Sequence, residues 1–349
     1  MTKLSKATWY ERVPKAELHV HLEGSIPLPA LWQLVQKYGG EPSVPDMAAL
    51  EKKFQFRDFP HFIETWVWKN RFLREYEDFT FIAAAVANDL VDQHVLHAEA
   101  FFSPTDFAER KLEPARLAEA IRRGLDQVPA ISVLLIADLV RDHGPERGSR
   151  TLAALEGTRE LGVVGIGIGG SEHRFPPAPF AEVYEHARRL GLHTSAHAGE
   201  AAGPASVWSA IDDLQVDRIG HGTSASEDPH LVMTLAERRI HVEACPISNV
   251  RTGIVDSLGC HPVRQLIDAD VSVSISTDDP KMFNTSLAEE LRGLHEQLGS
   301  STVEIRSLIF QAAQNSWLPR DRKQQLVDAL LGDPAWTADF PRAMVNSCV

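Results

Sequence analysis

The stretch AELHVHLEGS, residues 16–25, reads as a strand through Leu22 that gives way to Glu-Gly-Ser. Residues i and i+2 of a strand share a face, so His19 and His21 point the same way at that strand's end. Seven further β-branched or apolar runs follow: VLHAEAFF (95–102), ISVLLIAD (131–138), VVGIGIGG (163–170), HTSAHAG (193–199), VDRIGHG (216–222), IHVEAC (240–245) and VSVSIST (271–277). Helix-like stretches lie between them. PARLAEAIRRGLDQV (114–128) has apolar residues three and four apart, and APFAEVYEHARRLG (178–191) ends on a helix-stopping glycine. DPHLVMTLAERR (228–239) and HPVRQLIDAD (261–270) are similar. Strands alternating with helices predict a parallel α/β sheet, and eight such units predict a closed (β/α)8 barrel of the TIM type.

The 349 residues exceed the usual size of one domain, but barrels of this kind run to such lengths as one unit, and residues 1–349 are read as a single barrel domain. The formal charge of −13 argues against nucleic acid as a partner and disfavours anionic membranes. A neutral small molecule stays compatible with it. Three cysteines, Cys245, Cys260 and Cys348, make no disulfide framework and suit a reducing compartment. There is no apolar signal segment near the N-terminus and no run of 18 apolar residues, so a cytoplasmic protein without a membrane span is expected. Oligomeric state is not legible.

An insertion at about 27–94 separates the first two strands, and the tail at about 302–331 reads as two more helices. The insertion holds FRDFPHFIETWVWKNRFLREYEDF (56–79), in which Phe59, Phe62, Trp66 and Trp68 can partly line one helix face. Following strand 1, it belongs over the C-terminal strand ends, where barrels build active sites. It serves either as packing for the extra helices or as an apolar lid over a substrate.

Titratable residues gather at those same strand ends: His19 and His21 on strand 1, His197 and Glu200 at strand 5, His221 at strand 6, Asp278 and Asp279 at strand 8. In a parallel barrel they converge on one rim. Three neutral imidazoles and a carboxylate make a nitrogen/oxygen set suited to Zn²⁺, with a position left for water, although other divalent ions fit such a set as well. The HVE at 241–243 lacks the P-C-x-x-C partner of cytidine-type zinc deaminases, and GIGIGG is neither a P-loop nor a dinucleotide fingerprint. His61, His94, His97, His173 and His241 are not expected to bind catalytic metal.

In this order and at these strand ends, PKAELHVHLEGS, HAGE, RIGHG, CPISN and STDDP resemble the adenosine deaminase family of the amidohydrolase superfamily, from about Pro14 to Leu298. The resemblance implies one Zn²⁺ per chain, held by His19, His21, His197 and Asp278. It implies that Glu200 protonates purine N1, that His221 orients or deprotonates the attacking water, and that Asp279 hydrogen-bonds that water and ring N7. Gly170 would offer its N–H to ring N3. The implied reaction is hydrolytic loss of ammonia from C6 of an adenine ring. Glu23 stands where family members hold a ribose hydroxyl, and Phe62 and Trp66 are candidates for the sugar side. Adenosine or an adenosine-like nucleoside such as 6-aminodeoxyfutalosine is the expected substrate. Free adenine is the alternative, and a metal-binding barrel without turnover is the alternative of another class.

Overall fold

The computed structural model describes residues 7–56 and 59–338, the side chains of 59 and 60 excepted. Arg57, Asp58, the Phe59 side chain and Cys348 lie outside the described residues. All eight expected strands form: β1 (Lys15–His21), β2 (Val95–Phe102), β3 (Ser132–Asp138), β4 (Val163–Gly167), β5 (His193–Ala198), β6 (Arg218–His221), β7 (His241–Ala244) and β8 (Val273–Ile275). They pair in parallel in the order of the chain, each beside its sequence neighbour. From β3 onward the strands are shorter than their apolar runs. The second half of GIGIGG and the ends of VSVSIST have already left the ladder, and those freed segments build the rim.

The barrel closes at the seam between β1 and the chain just after β8. His21 N donates to Asp278 O (2.8 Å) and Asp278 N donates to His19 O (3.1 Å). Closure therefore brings together the backbones of three residues singled out at the strand ends.

The insertion folds as four helices, Leu28–Lys37, Met47–Lys53, Phe59–Asn70 and Tyr76–Asp92. Asp46 caps the second, accepting from Ala49 N. Asp78 anchors the start of the last, accepting from Arg74 N and Glu75 N. That last helix packs along Pro114–Leu125 as the crossover, and of the others Phe59–Asn70 reaches the rim. At the far end, Thr302–Asn315, capped by Ser301 and Glu304, packs across β8 and β1, and Arg320–Gly332 follows it. No helix among the described residues is long and apolar enough to cross a membrane.

The barrel interior below the rim is polar. Arg218 lies between Glu99 (Nη2–Oε2 2.7 Å) and Glu243 (Nε–Oε1 2.5 Å). Its guanidinium also sits 3.6 Å from the centre of the Trp317 ring. Burial alone would raise the Glu99 carboxyl, but the Arg218 charge, His97 and the Trp317 N–H together outweigh it and hold Glu99 down to about 2. The three charges neutralise part of one another's desolvation cost, the condition for holding ions in a core.

Candidate active site

β1 supplies His19 and His21, β5 supplies His197, and β6 ends on His221. Asp278 and Asp279 come from the segment beyond β8, and Glu200 from the turn beyond β5. His221 and Asp278 both have φ of 63°. A left-handed backbone at a non-glycine residue costs on the order of 1–3 kcal/mol and persists where the surroundings over-determine it. Gly24, in the HLEGS turn, has a different reason: a Cβ there would lie 1.6 Å from Asp279 Oδ1, so only glycine lets that carboxylate in.

His197 Nε2 lies 3.1 Å from His19 Nε2 and 3.1 Å from His21 Nε2. Asp278 Oδ1 lies 3.2 Å from His21 Nε2 and 3.7 Å from His19 Nε2. Atoms bound to one zinc at its usual bond lengths sit roughly 3.3 Å apart, so these separations match the edges of such a coordination shell. The tautomer fits too. His19 Nδ1 donates to Glu243 Oε2 (2.8 Å), which leaves its Nε2 lone pair facing the cluster. Ser248 Oγ donates to the other oxygen of Asp278 (2.7 Å), turning Oδ1 inward. His221 belongs to the same gathering: one ligand atom each from His19, His197, His221 and Asp278 falls within 4.8 Å of the others. Five residues thus converge where four were expected to bind metal.

Electrostatics favour a cation here. Burial holds the His197 and His19 imidazoles below their ordinary values, keeping their lone pairs free. Burial acts the same way on His21, but its bond to Asp278 and the nearby charges of Asp279 and Asp138 prevail and lift it to about 10. A site that draws a proton onto a buried imidazole so strongly is one with carboxylate to spare. Glu200 is raised by burial, assisted by Asp278 and Glu172 and opposed by His221 and Arg141. Asp279 is raised well above its usual range by burial and by Asp278.

The cluster forms the floor of a cavity of about 280 Å³. Glu200, Gly170, Asp279 and His221 line its inner part, and Ser103, Asp106 and Asp138 lie along one wall. Phe62 and Trp66 of Phe59–Asn70, with Phe283, form the apolar wall, and Ile63 and Val67 stand exposed at its edge. Phe62 stacks on Phe283 with centroids 5.0 Å apart. The helix therefore both packs and lines: Trp68 turns inward against Phe72, while Phe62 and Trp66 face the cavity. Gly170, at φ 100°, presents its backbone to the same space, and a Cβ there would strike Asp142 Oδ2. Glu23 is not among the residues that line the cavity, and its buried Oε2 has no hydrogen-bond partner among the described residues. It is 1% exposed, and its Oε1 accepts from Ser103 N (3.1 Å), a residue that does line the cavity.

The adenosine deaminase family model matches residues 14–332. The chain belongs to the adenosine deaminase family. An aminodeoxyfutalosine deaminase from Streptomyces coelicolor is 34% identical to it over 91% of this chain and 84% of that protein. The crystal structure of an adenine deaminase from Arthrobacter aurescens is similar at a TM-score of 0.85 with 29% identity, covering 92% of this chain and 98% of that one. A zinc-bound amidohydrolase from Burkholderia ambifaria is similar at 0.82 with 25% identity, over 95% and 97% of the two chains.

Several residues of this family member's site escaped the reading of its sequence. Glu243, inside HVE, orients His19. Ser248 and Asn249, inside CPISN, hold Asp278 and His221. Lys69 is wholly buried, donates to Asn70 Oδ1 (2.8 Å) and lies 3.6 Å from the Trp66 ring centre. Burial lowers it to about 8 against the pull of Asp279 and Glu23. Its signal was a lysine inside an aromatic helix, and nothing in the local pattern separated it from a solvated charge.

Proposed function

We propose that this chain is a zinc-dependent hydrolytic deaminase of a 6-aminopurine nucleoside. The observation that carries the proposal is the grouping of Glu200, His221 and Asp279 around the imidazole–carboxylate cluster, on the floor of one cavity. His19, His21, His197 and Asp278 would hold the zinc, whose contribution is Lewis-acid activation of a water.

The protein's own groups do the rest. Glu200, whose carboxyl burial raises above its ordinary value, donates to ring N1 as oxygen adds to C6. The role of His221 follows from a chain of hydrogen bonds. Val263 N–H donates to His261 Nδ1 (3.1 Å), so neutral His261 carries its proton on Nε2. That proton meets Asn249 Oδ1 (3.1 Å), which also accepts from Thr223 Oγ1 (2.9 Å). The Asn249 amide then donates to His221 Nδ1 (3.2 Å), which places the His221 proton on Nε2, 3.7 Å from Glu200 Oε2. His221 thus orients the attacking water as a donor, and Asp279, whose buried Oδ1 has no partner in the protein, accepts from that water. The C6–O bond forms and the C6–N bond breaks. N1 keeps the proton from Glu200, one water proton restores Glu200, and the other leaves with the amine as ammonia.

A nucleoside is favoured over the free base by the polar groups along the cavity wall. Ser103, Asp106 and Asp138 lie there and suit the hydroxyls of a sugar. No lysine or arginine among the described residues lines this cavity, which disfavours a phosphorylated substrate. The test is ammonia release by zinc-loaded protein from adenosine, 2′-deoxyadenosine, 6-aminodeoxyfutalosine and adenine. Turnover of a nucleoside with adenine inert is expected. Turnover of adenine alone would overturn the nucleoside assignment, and silence on all four with zinc bound would overturn the deaminase.

A further inference from the structure

Two loops would grip the purine: the one beyond β4, which carries Gly170, and the one beyond β5, which carries Glu200. We propose that Glu172 is the positioning residue that sets Glu200 against the ring by tying these loops together. The proposal rests on the deaminase reading for Glu200's role, but the tie itself is read directly from geometry.

Glu172 is 3% exposed. Its Oε1 accepts from Gly199 N (2.6 Å), and its Oε2 accepts from Ala201 N (2.6 Å) and Ala202 N (3.1 Å). These donors stand on both sides of Glu200, so one carboxylate clamps the turn that presents it. Glu172 is two residues beyond Gly170, and so it also fixes the span between the N–H meant for N3 and the acid meant for N1. Arg141 braces the same loops from the other side. Its guanidinium donates to Ile168 O (3.2 Å), His197 O and Phe175 O (3.0 Å).

A carboxylate suits this place because three N–H donors converge on it and both its oxygens only accept. Glutamine would turn an NH₂ toward at least one of those donors whichever way it flips. Aspartate is one methylene shorter and cannot reach both ends. Misplacing a proton donor by about 1 Å can cost on the order of a hundredfold in rate.

The test is a double-mutant cycle in zinc-loaded enzyme. Glu172→Gln is expected to lower kcat about a hundredfold, with KM changed only a few-fold and zinc content unchanged. Combined with Glu200→Gln it should cost no more than Glu200→Gln alone, because a clamp has nothing to position once its acid is gone. A loss of fold would add to the Glu200→Gln defect instead. A kcat within threefold of wild type, or losses that multiply, would overturn the proposal. Amide hydrogen exchange of residues 199–202 in the wild-type holoenzyme needs neither substrate nor variant. Slow exchange of Gly199, Ala201 and Ala202 is expected, and fast exchange would overturn the clamp even if no aminopurine were turned over.

Discussion

Two layers of the barrel interior both bury charge, and they manage it in opposite ways. In the lower layer Arg218 sits between Glu99 and Glu243, so positive and negative charges alternate. In the rim layer above it, imidazole nitrogens face one another at 3.1 Å, and His197 Nδ1, His221 Nε2 and Asp279 Oδ1 are buried without a hydrogen bond among the described residues, His221 Nε2 having the Glu200 carboxylate at 3.7 Å. The lower layer's charges are paired with one another as ions, and the rim layer has buried polar atoms with no such opposite charge in close contact. Glu243 belongs to both, pairing with Arg218 below and His19 above. The difference is that between a charge that holds a fold and a charge held ready for a ligand.

Breaking each layer should therefore give a different signature. His19→Ala, in the rim, is expected to empty the metal site and lower turnover by at least about a thousandfold, the equivalent of several kcal/mol of lost charge stabilisation. Its stability without metal should barely change. Metal analysis beside an ammonia assay reads this, and normal zinc with full activity would remove His19 from the ligand set. Arg218→Met, in the lower layer, leaves two buried carboxylates uncompensated. It should cost about 3–5 kcal/mol in urea unfolding, and a loss under 1 kcal/mol would mean the layer carries no such dependence.

Acid should act on the lower layer in a defined window. Glu99 is held at about 2, below its ordinary 4.5. A carboxyl depressed in the folded state adds stability that is complete above 4.5 and lost as pH falls from there through about 2, here roughly 3 kcal/mol. Equilibrium unfolding across that range should show the loss, and Arg218→Met should shift it to higher pH. Glu243→Gln tests the link between layers. Removing the carboxylate that orients His19 should weaken zinc affinity about 10- to 100-fold, measured by competition with a chelator. Unchanged affinity would separate the two layers.

The barrel was legible because its strands are buried on both faces and read as short apolar runs with helices between them. The rim residues were legible for the same reason: a histidine or aspartate at the end of such a run interrupts it, and the parallel topology sends every such interruption to one rim. Glu172 and His261 were not legible, because their importance lies in which backbone N–H or amide they meet across the barrel. Glu23 was legible in part. Its place in HLEGS left a sugar contact and a loop brace both open, and only the fold shows that one carboxylate oxygen takes the Ser103 N–H.

What this chain's sequence determined by itself was the architecture, the rim set His19, His21, His197, Glu200, His221, Asp278 and Asp279, and the family those motifs mark. These depend on periodicity and order, which are local. Only the tertiary structure decided which histidine nitrogen carries a proton, that Phe62 and Trp66 line the cavity while Trp68 packs away from it, and that a second layer of charge supports the first. Those properties depend on pairs of groups far apart in the chain, and they come into being only when closing the barrel at β1 and β8 puts the pairs within reach.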